Sequence, residues 1–118
     1  MTKSPQRLGD YLSYILEAIE RIEGYLENCD EAKFLVSPMI QDAVIRNFEV
    51  VGEASKNIER NFSDFAKEHS EVPFLDAYEM RNALSHGYFK VDLDILWKTI
   101  QKDLPILKIQ IQKLIASF

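Results

Sequence analysis

Hydrophobic residues recur every three or four positions along most of the chain, which is the spacing of one face of an α-helix. In the first segment this pattern is formed by Leu8, Leu12, Ile15, Ile19, Ile22 and Leu26. Ser4 and Pro5 suit the N-cap and the first turn of a helix. The pattern therefore predicts an amphipathic helix from about Pro5 to Glu27.

Three further helices are predicted by the same spacing and by start signals. The second begins at Ser37 and Pro38 and runs to about Phe65, after a short connection that includes a helical turn. The third fits Phe74 to about Ser85, and the fourth follows Asp92 as its N-cap. No repeat or Gly/Ser linker divides the chain. We expect one all-α domain over residues 1–118, an antiparallel bundle of four main helices plus a short helix.

The second helix has an additional apolar strip and a charged face. Phe48 and Gly52 belong to an additional apolar strip, which predicts contacts with neighbours on two sides. Opposite charges at spacings of three and four occupy the remaining face: Arg46, Glu49, Glu53, Lys56 and Arg60. This face is either a solvated ladder of ion pairs or a polar seam that faces a functional cleft.

Composition and charge limit the classes of partner. The chain has 47% hydrophobic residues and a formal net charge of −5, so any nucleic-acid contact must come from a local patch. Cys29 is the single cysteine and cannot form an internal disulfide. No secretory leader and no uninterrupted apolar stretch of about 18 residues is apparent. We expect a soluble, cytoplasmic protein with no membrane contact.

The stretch RNALSHGYF, from Arg81 to Phe89, concentrates chemically capable side chains at a predicted helix end. Asn82 and His86 are four residues apart, so the amide can orient the imidazole. On an ideal helix Arg81 lies about 140° from His86, so the two converge only if the helix ends or unwinds near Ser85. Gly87 makes such an end possible.

An arginine, a titratable histidine and an amide suit chemistry at a phosphodiester. The guanidinium of Arg81 holds phosphate oxygens and the imidazole of His86 moves protons, with no metal and no cofactor required. A histidine that caps a helix beside a surface arginine is the structural alternative, and mixed histidine and carboxylate metal ligation remains open. His69 is the other histidine, and its surroundings predict an exposed loop or helix end without a catalytic role.

Three segments carry a resemblance to a known family. MRNALSHGYFKVD, from Met80 to Asp92, resembles the R-x4-H-x-Y motif of the HepT-like toxins of the HEPN superfamily, and AVIRNFEVVGEASKNI resembles the signature of their second long helix. LWKTIQKDLP is similar to a stretch of their last helix. The likeness covers nearly the whole chain, with Phe74 where the family commonly has tryptophan.

The resemblance implies an HEPN-like fold and a specific function. It implies the toxin of a type VII-like toxin–antitoxin system, a metal-independent endoribonuclease with Arg81, Asn82 and His86 at its site. Tyr88 stands at the position that a partner minimal nucleotidyltransferase antitoxin adenylylates. Cleavage through the RNA 2′-OH needs a base and an acid, yet the motif has one histidine per chain, so we expect a composite site in a homodimer.

A different function class stays open beside this one. The domain could bind a nucleotide or a partner protein without cleaving anything, with Arg81 as an anion clamp, because fold does not determine activity. For Tyr88 the alternative is a ring packed on the core with its hydroxyl in water.

Overall fold

The described part of the chain is mainly helical, and its long helices begin close to where the sequence predicts. The computed structural model describes residues 5–86 and 92–118, although not the side chains of residues 5, 6, 83, 85 and 86. These parts contain six helices: α1 Pro5–Tyr25, α2 Glu31–Leu35, α3 Pro38–Asn61, α4 Ser63–Glu68, α5 Phe74–His86 and α6 Leu93–Ala116. The prediction of an all-α bundle is confirmed.

Side-chain caps begin three of the helices. Ser37 accepts a hydrogen bond from the backbone N–H of Ile40, and Pro38 follows it as the first residue of α3. Asp92 caps α6 by accepting from the N–H of Ile95 at 3.1 Å. Both start sites were predicted, since a cap satisfies donors that the first helical turn leaves without partners. Asp30 caps the short α2 in the same way.

The second long helix is shorter than the sequence predicts. It ends at Asn61 rather than near Phe65, because Phe62 leaves the helical conformation with φ −134° and ψ 49°. The chain then forms α4 as a separate short helix. Phe62 packs edge-on against Tyr11 of α1, with 6.4 Å between ring centroids. Neither glycine nor proline marks this break, so the apolar periodicity hides it.

The core lies where α3 meets its neighbours. α3 packs against α1 on one side and α5 on another, and α1 also contacts α6. The predicted double contact of α3 is therefore confirmed. Buried side chains line α1 at helical spacing: Leu8, Leu12, Ile15, Ile19 and Ile22. None of the helices in the described ranges is long and apolar enough to cross a membrane.

Candidate functional site

Arg81 lies at a tight contact between α5 and α3. Gly52 of α3 faces it without a side chain, and a Cβ built on Gly52 would overlap the Cβ of Arg81 and lie 2.7 Å from its Cγ. The same Cβ would lie 3.1 Å from the backbone oxygen of Ala77. No glycine in the described ranges has a positive φ, so close packing and not backbone conformation explains glycine at this position.

The guanidinium of Arg81 is held at the edge of this contact. Its Nη1 donates to Oδ1 of Asn82 at 3.0 Å, and its Nη2 lies 3.7 Å from Oε2 of Glu53. The side chain is 29% exposed, and its buried Nε has no hydrogen-bond partner among the described residues. At 3.7 Å the contact with Glu53 is an ion pair rather than a short hydrogen bond, so an incoming anion can compete for this arginine.

Asn82 connects Arg81 to a tyrosine one turn earlier on α5. A side-chain hydrogen bond from Asn82 lowers the pKa of Tyr78, and the positive charges of Lys56, Arg60 and Arg81 act in the same direction. The ammonium of Lys56 also lies 5.7 Å from the centre of the Tyr78 ring. The described contacts of Asn82 are thus with Arg81 and Tyr78. Its predicted contact with the imidazole of His86 stays a prediction.

His86 is the last residue of α5, and its side chain lies outside the described residues. Tyr88 lies outside them entirely. α5 ends at His86, one residue beyond the predicted end near Ser85, and it is helical up to that residue. Arg81 and His86 therefore occupy positions about 140° apart around the helix axis.

A polar cleft of about 340 Å³ opens beside Arg81. It is bounded by residues from α1, α3 and α5: Tyr14, Arg46, Glu49, Val50, Glu53, Ala54, Asn57 and Arg81. The charged face of α3 was predicted to be either a solvated ladder or a seam along a cleft. Arg46, Glu49 and Glu53 of this face line the space, and Glu53 also pairs with Lys56 along the helix. A function for the cleft stays a prediction.

A second cavity is larger but chemically less suited to a phosphate. It has a volume of about 420 Å³ and is lined by apolar residues of α3, α5 and α6 such as Phe48, Ala77 and Leu107. Its acidic side chains are Glu71, Asp76 and Asp103, which repel a phosphate. The Arg81 cleft is therefore the better candidate for an anionic ligand.

The other histidine does not line either cavity. His69 caps the end of α4, where its Nδ1 lies 3.4 Å from Glu71 and its ring packs on Phe65. It is a helix-end residue, as the sequence indicates, although the ring is half-buried. Among the described side chains, no three His, Cys, Asp or Glu residues come together to hold a metal ion.

Sequence reasoning missed several residues of the site. The i, i+4 spacing of Tyr78 and Asn82 offered a signal for their hydrogen bond. A glycine inside an otherwise strong helical pattern offered a signal for the close approach at Gly52. Nothing local marked Tyr14, because its place in the cleft depends on how α1 packs against α3.

Known proteins resemble this chain over most of its length. A family model described as "Ribonuclease HepT-like" matches residues 15–114. "Probable ribonuclease HepT" of Thermococcus cleftensis is 46% identical over 89% of this chain and 93% of that protein. "Putative RNase" of Caldanaerobacter subterraneus is 33% identical over 91% of this chain and 93% of that protein.

A longer relative shares the same region. "Gamma-glutamylcyclotransferase and putative RNase" of Methanocaldococcus jannaschii is 42% identical over 91% of this chain, which spans 47% of that protein. No solved structure matches the chain significantly. The family model covers all of α3 and α5 and the part of α1 from residue 15 onward. The chain belongs to the HepT-like ribonuclease family.

Proposed function

We propose that this chain is an endoribonuclease that cleaves RNA without a metal ion, with Arg81 and His86 as its catalytic residues and Asn82 as the residue that orients them. The observation that carries the proposal is Arg81, whose Cβ and Cγ pack against Gly52 and whose side chain lines a cleft of nucleotide size. Membership of the HepT-like ribonuclease family supports RNA as the substrate.

The proposed reaction uses the RNA's own 2′-OH. A base removes the proton of that hydroxyl, its oxygen attacks phosphorus, and the bond from phosphorus to the 5′-oxygen breaks. An acid protonates the leaving 5′-oxygen, so the products are a 2′,3′-cyclic phosphate and a 5′-hydroxyl. Arg81 stabilises the charge that develops on the phosphate oxygens. Its planar guanidinium suits this role because it can donate two parallel hydrogen bonds to them.

A homodimer would supply the second proton-transfer group. Arg81 and His86 of one chain are about 140° apart around α5, so a second chain related by a twofold axis can place its own histidine near the first chain's arginine. Light scattering at micromolar concentration tests this arrangement. A strictly monomeric chain that still cleaves RNA would remove the argument for a shared site.

Control of the enzyme follows from the family's motif. We propose that the chain is the toxin of a toxin–antitoxin pair and that a nucleotidyltransferase antitoxin transfers AMP from ATP to Tyr88. The tyrosine oxygen bonds to the α-phosphorus, pyrophosphate leaves, and the phenolic proton is released. The added phosphate and nucleoside would repel and obstruct an RNA phosphate.

RNA cleavage in the presence of a chelator tests the catalytic proposal. Wild-type protein should cut RNA, and His86→Ala and Arg81→Ala should lose activity. His69→Ala is the matched control, because it removes the chain's other histidine without touching the cleft. Binding of nucleotide by wild-type protein with no cleavage would favour the non-catalytic alternative, in which Arg81 is an anion clamp. Activity that requires a divalent metal would contradict the proposed chemistry.

A further inference from the structure

Tyr14 and Arg46 share the cleft with Arg81, although they lie on other helices and outside the motif that marks the catalytic residues. Tyr14 belongs to α1, Arg46 to the first half of α3, and Arg81 to α5. From this juxtaposition we infer that Tyr14 and Arg46 form a subsite for a nucleotide that flanks the cleaved bond in single-stranded RNA. The inference rests on the proposed ribonuclease function.

Local charge supports a phosphate at this subsite. Glu53 is shared between two cations, with Arg81 at 3.7 Å and Lys56 at 3.9 Å, so its negative charge is compensated. Arg46 is exposed and forms no ion pair with a described residue. Arg46 and Arg81 balance Glu49 and Glu53 in the lining of the cleft, and Lys56 lies beside Glu53, in a chain whose formal net charge is −5. A phosphate is therefore repelled less in this cleft than by the net negative charge of the rest of the chain, and Arg46 is available to pair with it.

Tyr14 provides a surface for a base. Its side chain is 49% exposed, and its ring meets Tyr11 edge to face with 6.2 Å between centroids. Tyr11 in turn packs against Phe62, so the Tyr14 ring has a supported position before any ligand arrives. A base that stacks on a positioned ring loses less of its binding energy to ordering of the side chain.

The dimensions and lining of the cleft favour one nucleotide over a larger ligand. Its volume of about 340 Å³ is near the lower end of the range of roughly 300–1,000 Å³ for small-molecule pockets. Asn57 donates its amide N–H to the backbone oxygen of Glu53, which leaves its carbonyl oxygen able to accept from a base. The ring of Tyr14 can thus stack on a base, Arg46 can pair with a phosphate, and the amide of Asn57 can bind the edge of the base.

Binding of an RNA that cannot be cleaved separates this subsite from catalysis. The probe is a short fluorescein-labelled oligouridylate with 2′-O-methyl groups, measured by fluorescence anisotropy. Arg46→Ala should weaken its binding about ten-fold at low salt and reduce the slope of log K against log salt by about 0.7. Arg21→Ala is the matched control, because it removes the same charge from an exposed pair with Glu17 outside the cleft.

Stacking has its own pair of variants and its own probe. Tyr14→Ala should weaken binding about five-fold or more, whereas Tyr14→Phe keeps the ring and should stay within about two-fold of wild type. With an abasic oligonucleotide of the same length, Tyr14→Ala and wild type should bind alike. Thermal melts by circular dichroism should be nearly unchanged, since both substituted side chains are exposed.

The binding results test the phosphate contact, base stacking and the subsite as a whole separately. Equal binding by Arg46→Ala and Arg21→Ala, or an unchanged salt slope, overturns the phosphate contact. A Tyr14→Ala loss that persists on the abasic probe overturns stacking, and absence of binding by wild type overturns the whole subsite. Arg46-dependent and Tyr14-dependent binding by a wild-type protein that never cuts RNA would support the subsite while the proposed catalysis fails.

Discussion

Gly52 of α3 and Arg81 of α5 are in tight contact, and the arginine occupies the space that a side chain on Gly52 would need. Because Gly52 has no Cβ, the two helices pack closely at this point. The aliphatic part of the Arg81 side chain then lies directly against Gly52. A packing feature in the core of the fold thus sets the position of the guanidinium at the cleft.

The first prediction follows from that contact. Gly52→Ala should lower the free energy of unfolding by about 1–3 kcal/mol, because the new methyl overlaps Arg81 and crowds the Ala77 carbonyl, which is backbone and cannot move away cheaply. RNA cleavage should fall more than stability accounts for, since Arg81 is displaced. Chemical denaturation and initial cleavage rates, both below the melting temperature, provide the two measurements.

Gly24→Ala is the control for this experiment. A Cβ on Gly24 meets nothing within 4 Å, and alanine is a better helix former than glycine, so this variant should be as stable as wild type or more so. If Gly52→Ala behaves like Gly24→Ala in both measurements, the close approach has no influence on the arginine.

A second prediction concerns the planar geometry of the Arg81 guanidinium. Arg81→Lys retains charge and most of the stem but has no planar fork to contact Asn82 and a phosphate together. The cleavage rate should fall at least about a hundred-fold, with the melting temperature nearly unchanged. Arg21→Lys, an exposed replacement on α1, should cleave like wild type. Full activity of Arg81→Lys would mean that any positive charge suffices at this position.

The third prediction uses the lowered pKa of Tyr78. When folding lowers the pKa of a tyrosine, ionisation of that tyrosine stabilises the folded state only at alkaline pH. This contribution to the free energy of unfolding is absent at neutral pH, and it grows as the pH rises from the folded-state pKa toward the unfolded value of about 10. Asn82→Ala removes the main cause, so the pKa of Tyr78 should rise and this alkaline contribution should shrink. Phenolate absorbance, measured as the difference between each protein and its Tyr78→Phe form, reports the change.

Asn57→Ala offers a matched control for this titration. Its amide bonds to the backbone of Glu53 on α3 and has no described contact with Tyr78, so the tyrosine should titrate as in wild type. An Asn82→Ala protein that also titrates as wild type would show that the cationic neighbours, and not the amide, set the pKa.

The fourth prediction concerns modification at Tyr88. Incubation with a partner nucleotidyltransferase, ATP and magnesium should add one AMP to the wild-type chain and suppress RNA cleavage, whereas Tyr88→Phe should gain no mass. Phenylalanine removes only the acceptor hydroxyl, and Tyr25→Phe, the same change at an exposed tyrosine outside the cleft, should gain AMP as the wild type does. Mass gained by Tyr88→Phe would place the acceptor at another hydroxyl. Modified protein that still cuts RNA at full rate would leave binding by the partner as the mode of neutralisation.

Helix identity and most helix starts could be predicted from the sequence because they depend on local chemistry. Apolar spacing along α1 and the caps at Ser37 and Asp92 act within one or two turns, and all of them are found in the structure. The end of α3 was not predictable in this way. Phe62 leaves the helix where it packs against Tyr11, a residue more than fifty positions earlier in the chain.

The candidate site likewise has one part that local sequence predicts and another that depends on packing between helices. The sequence by itself identified the motif residues, since Arg81, Asn82 and His86 are close in the chain and of types that indicate phosphate chemistry, and the family resemblance added Tyr88. The roles of all four stay predictions. Only the tertiary structure decided that Arg81 lies over Gly52, contacts Glu53 and shares a cleft with Tyr14 and Arg46. The reason is physical: these contacts join three helices, and their distances depend on side-chain packing between the helices, which no local spacing encodes.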